Sequence, residues 1–301
     1  MYFGVNVAGL NLKALTGSPR AVGRRRSVAR CIFCGSPGPL TNEHMWARWT
    51  HRYQPRRSTR HHVLRTTVHK TQTDFRVFKR SGDITDWQVR CVCARCNNGW
   101  MSKDVEQPAI RVMAPLLEGQ AVRLWPSDQA KIAAWAVMKY MVADAQDGGR
   151  NVTTHHTQRK RMWHRQLPPA RGWGVWIGLW DRSDPKAALS WASTPFLALS
   201  VKRAGKRAGM RATFYNSDAS TQVIGKLFIH VVHSPVPNLA RKFSFNLPSG
   251  GTLYRIWPTT NTSVIWPPKG MSDWDAHVAS VAVHNFAAKA ALQQESGAGG
   301  V

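Results

Sequence analysis

The chain has 301 residues, 43% of them hydrophobic and 14 of them Trp, which supports one large or two modest domains and excludes a disordered chain. Lys and Arg number 42 against 16 Asp and Glu, a net charge of +26, so a polyanion is the expected partner and nucleic acid the first candidate. No apolar run reaches the ~20 residues of a membrane span, which argues against a membrane protein.

Residues 1–30 carry six basic residues and no acid, and predict a basic flexible arm able to touch phosphates. Met1 to Leu12 lacks a basic start and is interrupted by Asn6 and Asn11, so it makes a poor secretory signal. Residues 31–106 form a module bounded by cysteines. Gly35-Ser36-Pro37-Gly38-Pro39 is turn chemistry after the first Cys pair. From Arg48 to Lys70 there are seven Arg or Lys and no acid, interleaved with Trp49, Tyr53 and several His. That mixture suits a loop that tracks phosphates and stacks on bases, with Arg48, Arg52, Arg56, Arg57 and Arg60 as contacts. Phe75 to Lys79 and Trp87 to Cys91 alternate as two short strands around a turn at Ser81-Gly82-Asp83.

Residues 107–168 read as helical, with Pro108 and Pro115 interrupting the first piece and Ser127 capping a second through about Ala145. The second piece is apolar nearly all round, Lys139 excepted, and belongs in the core. Arg159, Lys160 and Arg161 with His155, His156 and His164 form a further basic patch. Over 169–301 the period changes to two. Strands are expected at Trp173–Trp180, Ala212–Tyr215, Gln222–Val232, Leu253–Trp257 and Ser263–Trp266, and a closing helix at Asp275–Leu292. The expected fold class is α+β: a metal-stapled module, then helices, then a mostly antiparallel β-rich domain.

Five cysteines, Cys31, Cys34, Cys91, Cys93 and Cys96, are odd in number and bunched in two clusters. A disulfide framework is normally even and spread out, so metal binding is the better account. A CxxC on a tight turn aims two thiolates at one ion, and two such turns complete a tetrahedral zinc site. Cys31, Cys34, Cys93 and Cys96 are the expected ligands of a structural Zn²⁺; Cys91 competes with Cys93 for the third place.

Between the two pairs lies Glu43-His44, and Glu43 is one of only four glutamates. An imidazole near neutrality is the commonest general base, and a neighbouring carboxylate can hold a divalent ion if the strand ends there. The order CxxC, acid–His, then Cys93-Ala94-Arg95-Cys96-Asn97-Asn98-Gly99-Trp100 resembles the HNH endonuclease family in its four-cysteine, zinc-stapled form. The resemblance covers about residues 31–106. It implies a ββα-metal module in which Glu43 and Asn97 hold a catalytic Mg²⁺ or Mn²⁺ and His44 is the general base. Glu43 stands where the family usually has Asp, and Asn97 where many members have His. The middle Asn of the family has no clear counterpart, Gln88 and Asp86 being nearest, and Asn98 is an alternative to Asn97.

The implied activity is hydrolysis of phosphodiester bonds in double-stranded DNA, in the cytoplasm of a bacterial or phage-infected cell, with Lys103 or an Arg of the 48–70 segment on the phosphate. The competing expectation is a zinc-containing protein that binds nucleic acid without cutting it.

Overall fold

The computed structural model describes residues 29–53, 61–69, 72–80, 84–146, 153–181, 189–196, 217–236 and 239–282. The arm over 1–28, Arg56, Arg57 and Arg60, and the strand expected at Ala212–Tyr215 lie outside them. Helix and sheet are mixed, the sheets are mostly antiparallel, and a four-cysteine cluster is present, as expected for the fold class. Among the described residues no helix is long and apolar enough to cross a membrane.

In chain order the elements begin with β1 (Leu40–His44) and a 3-10 turn (Arg48–Tyr53). A hairpin of β2 (His61–His69) and β3 (Gln72–Arg80) follows, then β4 (Gln88–Cys93). One helical run comes next: α1 (Ala94–Cys96), a wider π-type stretch (Asn97–Glu106) broken at Gly99, and α2 (Gln107–Glu118). After it come β5 (Val122–Leu124), α3 (Pro126–Asp144) and α4 (His156–Arg165). Then come β6 (Trp173–Leu179), β7 (Leu189–Phe196), β8 (Ser217–Ile224), β9 (Leu227–His233) and a short α5 (Leu239–Lys242). The chain closes with β10 (Tyr254–Trp257), β11 (Val264–Trp266) and a helix α6 over 273–282.

β1 pairs antiparallel with β4, Glu43 opposite Val89 and His44 opposite Gln88, with a bulge between Thr41 and Asn42. A second, seven-stranded sheet has the order β10-β6-β9-β8-β7-β2-β3. Over its described residues the segment between β1 and β4 is therefore not an open basic loop. Its β2–β3 hairpin joins the C-terminal sheet through a parallel pairing of β2 with β7. The two strands expected on either side of Ser81-Gly82-Asp83 both form, but β3 pairs with β2 and β4 with β1.

Several local expectations shift for identifiable reasons. Pro108 lies near the start of α2 and does not break the helical run, which carries on through Glu118 to a Gly119 cap with Pro115 inside its last turn. α3 starts at Pro126, not after Ser127. Its Asp128 carboxylate accepts the Trp125 N–H at 3.2 Å, and Pro126 takes the first helical position. The run expected as one strand at 222–232 is two, β8 and β9, turned at Gly225. Gly225 has φ +55° and a Cβ there would lie 2.7 Å from the Leu117 carbonyl oxygen, so only glycine makes that turn without strain.

α3 is the centre of the core. Ile132 to Val142 are buried without a break, packed on α2 and on β6, β9 and β10. Tyr140 reaches the sheet, its hydroxyl 3.1 Å from Asp218 of β8, and its ring meets Trp173 edge-on at 5.2 Å. At the end of α3, buried Asp144 accepts from the Thr153 and Thr154 backbone N–H groups and from Arg159 at 2.8 Å. That network docks α4 onto α3 and removes Arg159 from the basic patch expected at 159–161.

Candidate metal centre and adjoining cleft

The first knuckle is a turn closed by the Gly35 N–H on the Cys31 carbonyl (2.9 Å) and the Cys31 N–H on the Ser36 carbonyl (3.0 Å). Gly35 has φ +74°, the left-handed region where a side chain would strain the backbone. The Ile32 N–H donates to the Cys91 carbonyl at 3.0 Å and pins this knuckle to β4. The second knuckle is the β4–α1 junction. Cys93 ends the strand and Cys96 lies one turn into the helical run. Phe33 of the first knuckle meets Trp100 edge-on at 5.0 Å, so an aromatic contact backs the pairing.

The sulfur atoms of Cys31, Cys34, Cys93 and Cys96 all lie within 4.8 Å of one another, and Cys34 and Cys93 are 3.7 Å apart. Tetrahedral Zn–S bonds of about 2.3 Å put sulfurs about 3.8 Å apart, so the cluster has the ligands and spacing for a metal such as zinc. No pair is a disulfide. A hydrogen bond from the Cys96 thiol, aided by nearby backbone amides, pulls Cys31 down to about 4 against the opposing effect of burial. The same contact pushes Cys96 up, and burial pushes Cys93 up. Cys91 lies outside the cluster, and burial raises its thiol to about 12, which leaves it a packing residue and settles the third place for Cys93.

Beside this staple a cleft of about 570 Å³ is lined by Glu43, His44, Asn97 and Asn98, together with Thr41, Arg48, Gln88, Glu106 and Lys139. The two strand residues Glu43 and His44 point to opposite faces of β1, yet both border this space because the strand ends there.

His44 is held in one tautomer. Its Nδ1 lies 3.3 Å from the Thr85 carbonyl oxygen, which only accepts, so Nδ1 carries the proton. Nε2 then accepts from Arg48 Nε at 3.3 Å and from the Gln88 amide at 3.0 Å. Partial burial lowers the His44 pKa from 6.5, and the Arg48 and His51 charges add to this against the Thr85 bond and Glu43. The imidazole is therefore neutral at pH 7 with its lone pair in the cleft. The Thr85 carbonyl fixes the ring, and Gln88 touches the opposite nitrogen, cross-strand from His44. Asp86 is exposed and absent from the cleft lining.

Asn97 is oriented by Thr41. The Thr41 hydroxyl donates to the Val92 carbonyl (3.0 Å) and accepts from Asn97 Nδ2 (3.1 Å), which leaves Oδ1 as the amide's remaining ligand atom. Glu43 is buried, and its Oε1 is held by the ammonium of Lys139, which also donates to the His44 carbonyl at 3.1 Å. Burial disfavours the charge on Lys139, but Glu43 and Glu106 more than offset it and raise its pKa.

Lys139 is the site residue that sequence reasoning missed; a lysine amid an unbroken buried stretch of helix was its signal. Glu106 is a second, its Oε1 accepting from Trp49 Nε1 at 3.1 Å. Of the expected phosphate contacts, Arg48 lines the cleft. Arg52 instead donates to the Tyr53 hydroxyl at 2.7 Å, and Lys103 is exposed away from the cleft lining.

Glu43 and Asn97 offer oxygen atoms at the cleft, Glu43 with Lys139 already on its carboxylate. Among the described residues the four cysteines are the only close cluster of three or more His, Cys, Asp or Glu ligands. Comparison of the chain with family models, with curated proteins and with solved structures finds no match.

Proposed function

We propose that this protein is a metal-dependent, HNH-type endonuclease hydrolysing phosphodiester bonds in double-stranded DNA. The observation that carries the reading is the single cleft that gathers Glu43, neutral His44 and Asn97 beside the four-cysteine staple. The order of elements supports it: two antiparallel strands, then a helical run opening next to the last cysteine, as in a ββα-metal module.

In the proposed mechanism His44 Nε2 takes a proton from water, with Thr85 holding the ring and sharing the charge that develops on the imidazole. Arg48, now on Nε2, swings to a non-bridging phosphate oxygen as the water takes its place. Glu43 and Asn97 supply oxygen ligands at the cleft. A divalent ion bound there would neutralise charge on the leaving 3′ oxygen. Cys31, Cys34, Cys93 and Cys96 would hold a zinc ion that keeps the two knuckles in register and takes no chemical part.

A second reading, binding without hydrolysis, is favoured by one specific contact. The Lys139 ammonium already neutralises Glu43, the carboxylate that a catalytic ion needs.

The two readings separate on supercoiled plasmid with Mg²⁺ or Mn²⁺. Wild type is expected to give nicked circles and His44→Ala none, while both bind duplex DNA. The wild-type rate rises with pH through the His44 pKa, below 6.5, and levels off above it. Nicking by His44→Ala equal to wild type, or a wild type that binds and never nicks, overturns the nuclease reading.

A further inference from the structure

We infer that the outward face of α4 is a second contact surface for nucleic acid, one that grips the phosphate backbone of a duplex outside the cleft. The inference rests on the reading above for the partner's identity. α4 contains no acidic residue. At 3.6 residues per turn, Lys160, Arg161, His164 and Arg165 fall within an arc of about 140°. All four are exposed. Arg159, Met162 and Trp163 are turned the other way, about 180° round the helix. Arg159 is buried on Asp144, Met162 is buried in the core, and Trp163 packs against it.

The charged face is also held in place. Docking through Asp144 fixes one side of the helix. At its C-terminal end Gln166 takes a left-handed conformation (φ 54°) and its amide donates to Asp104 at 3.0 Å. Asp104 belongs to the helical stretch that starts at Asn97, so α4 is tied to the same element that lines the cleft, next to exposed Lys103. Exposed Arg171 follows just beyond the helix.

The partner's chemistry follows from what the face lacks. An interfacial membrane helix needs a large apolar face turned outward. Here the apolar residues of α4 are already packed inward, leaving charges about one turn apart, and the one ring on this face, His164, lies against Trp163 at 4.4 Å. Such a face fits the evenly spaced phosphates of a duplex and carries no base readout.

The test is the salt dependence of binding to a short duplex, measured by fluorescence anisotropy without divalent metal, so that catalysis does not enter. Each lost phosphate contact lowers the slope of log K against log[salt] by about 0.9, so Lys160→Gln, Arg161→Gln, Arg165→Gln together should lower it by about 2.7. Between about 50 and 200 mM salt the wild type then loses about 40-fold more affinity than the variant. A control with equal charge loss elsewhere, Arg123→Gln, Lys226→Gln, Lys269→Gln, is expected to keep the wild-type slope. Exposed positions leave folding intact, which an unchanged thermal midpoint checks. An unchanged slope in the α4 variant, an equal drop in the control, or loss of anionic-vesicle binding without loss of duplex binding overturns the inference. A wild type that binds with the expected slope but never nicks removes the nuclease reading and leaves this surface standing.

Discussion

Replacing Lys139 with Met removes a charge and keeps the length of the side chain, so no large cavity opens. What remains is Glu43, 8% exposed, with its partner gone. Breaking a buried ion pair from one side costs about 3–5 kcal/mol, because the other charge stays desolvated. The hydrogen bond from Lys139 to the His44 carbonyl is lost as well, worth about 1 kcal/mol. The expected loss at pH 7 is about 4 kcal/mol, or a fall of roughly 10 °C in Tm. Urea unfolding followed by near-UV circular dichroism, sensitive to the many Trp, reads the change. The double variant Lys139→Met, Glu43→Gln removes both charges and should recover at least about 2 kcal/mol relative to the sum of the single changes. A Lys139→Met cost under about 1 kcal/mol, or strict additivity in that cycle, refutes the argument that this pair is a buried, mutually dependent unit.

Two further outcomes follow from burial and charge. Cys91→Ser should keep one zinc per chain by atomic absorption while Cys93→Ser loses it and unfolds the knuckles, since binding energy of a structural zinc is folding energy; zinc retained by Cys93→Ser contradicts the four-sulfur assignment. Burial drops His230 to about 3 and His233 to about 4, so both stay neutral in the folded protein while the unfolded chain takes up protons near 6.5. Stability is then complete above pH 6.5 and falls below it by about 1.4 kcal/mol per pH unit for each histidine, some 5 kcal/mol in total at pH 4.5. His233→Gln should roughly halve that slope, and a urea midpoint constant from pH 6.5 to 4.5 rules the account out.

The cysteine knuckles were legible because their geometry is local: a three-residue spacing and a glycine after Cys34 are enough to shape a metal turn. Glu43, His44 and Asn97 line one cleft because β1 and β4 flank the same two knuckles. Lys139 was not legible as a site residue, since its partner lies almost a hundred positions away and only burial reveals the need for one. Arg159, only 15 positions from its partner, reads as surface charge until burial on Asp144 claims it. Non-local pairing also hid the hairpin β2–β3, whose alternation showed strands and whose neighbour β7 no local pattern names. The turn at Gly225 was missed because the residues next to it, Val223-Ile224 and Leu227-Phe228, are all apolar and read as one run.

The parallel seam between β2 and β7 has a consequence for how the protein is made. Both cysteine pairs have left the ribosome once residue 96 is out, but Ser193, the partner of Arg65, follows about 130 positions after it. At roughly 5–20 residues per second that wait is on the order of ten seconds. Zinc can close the knuckles early, and the hairpin between them then stands as a ribbon with an unpaired edge until the late strands arrive, the situation in which nascent chains stick to one another. The sequence of this ribbon holds Arg65, Arg76, Lys79 and Arg80 against one acid, Asp74, and like net charge on two copies opposes their pairing during that interval. Part of the chain's excess charge thus acts before there is any folded surface for a polyanion to meet.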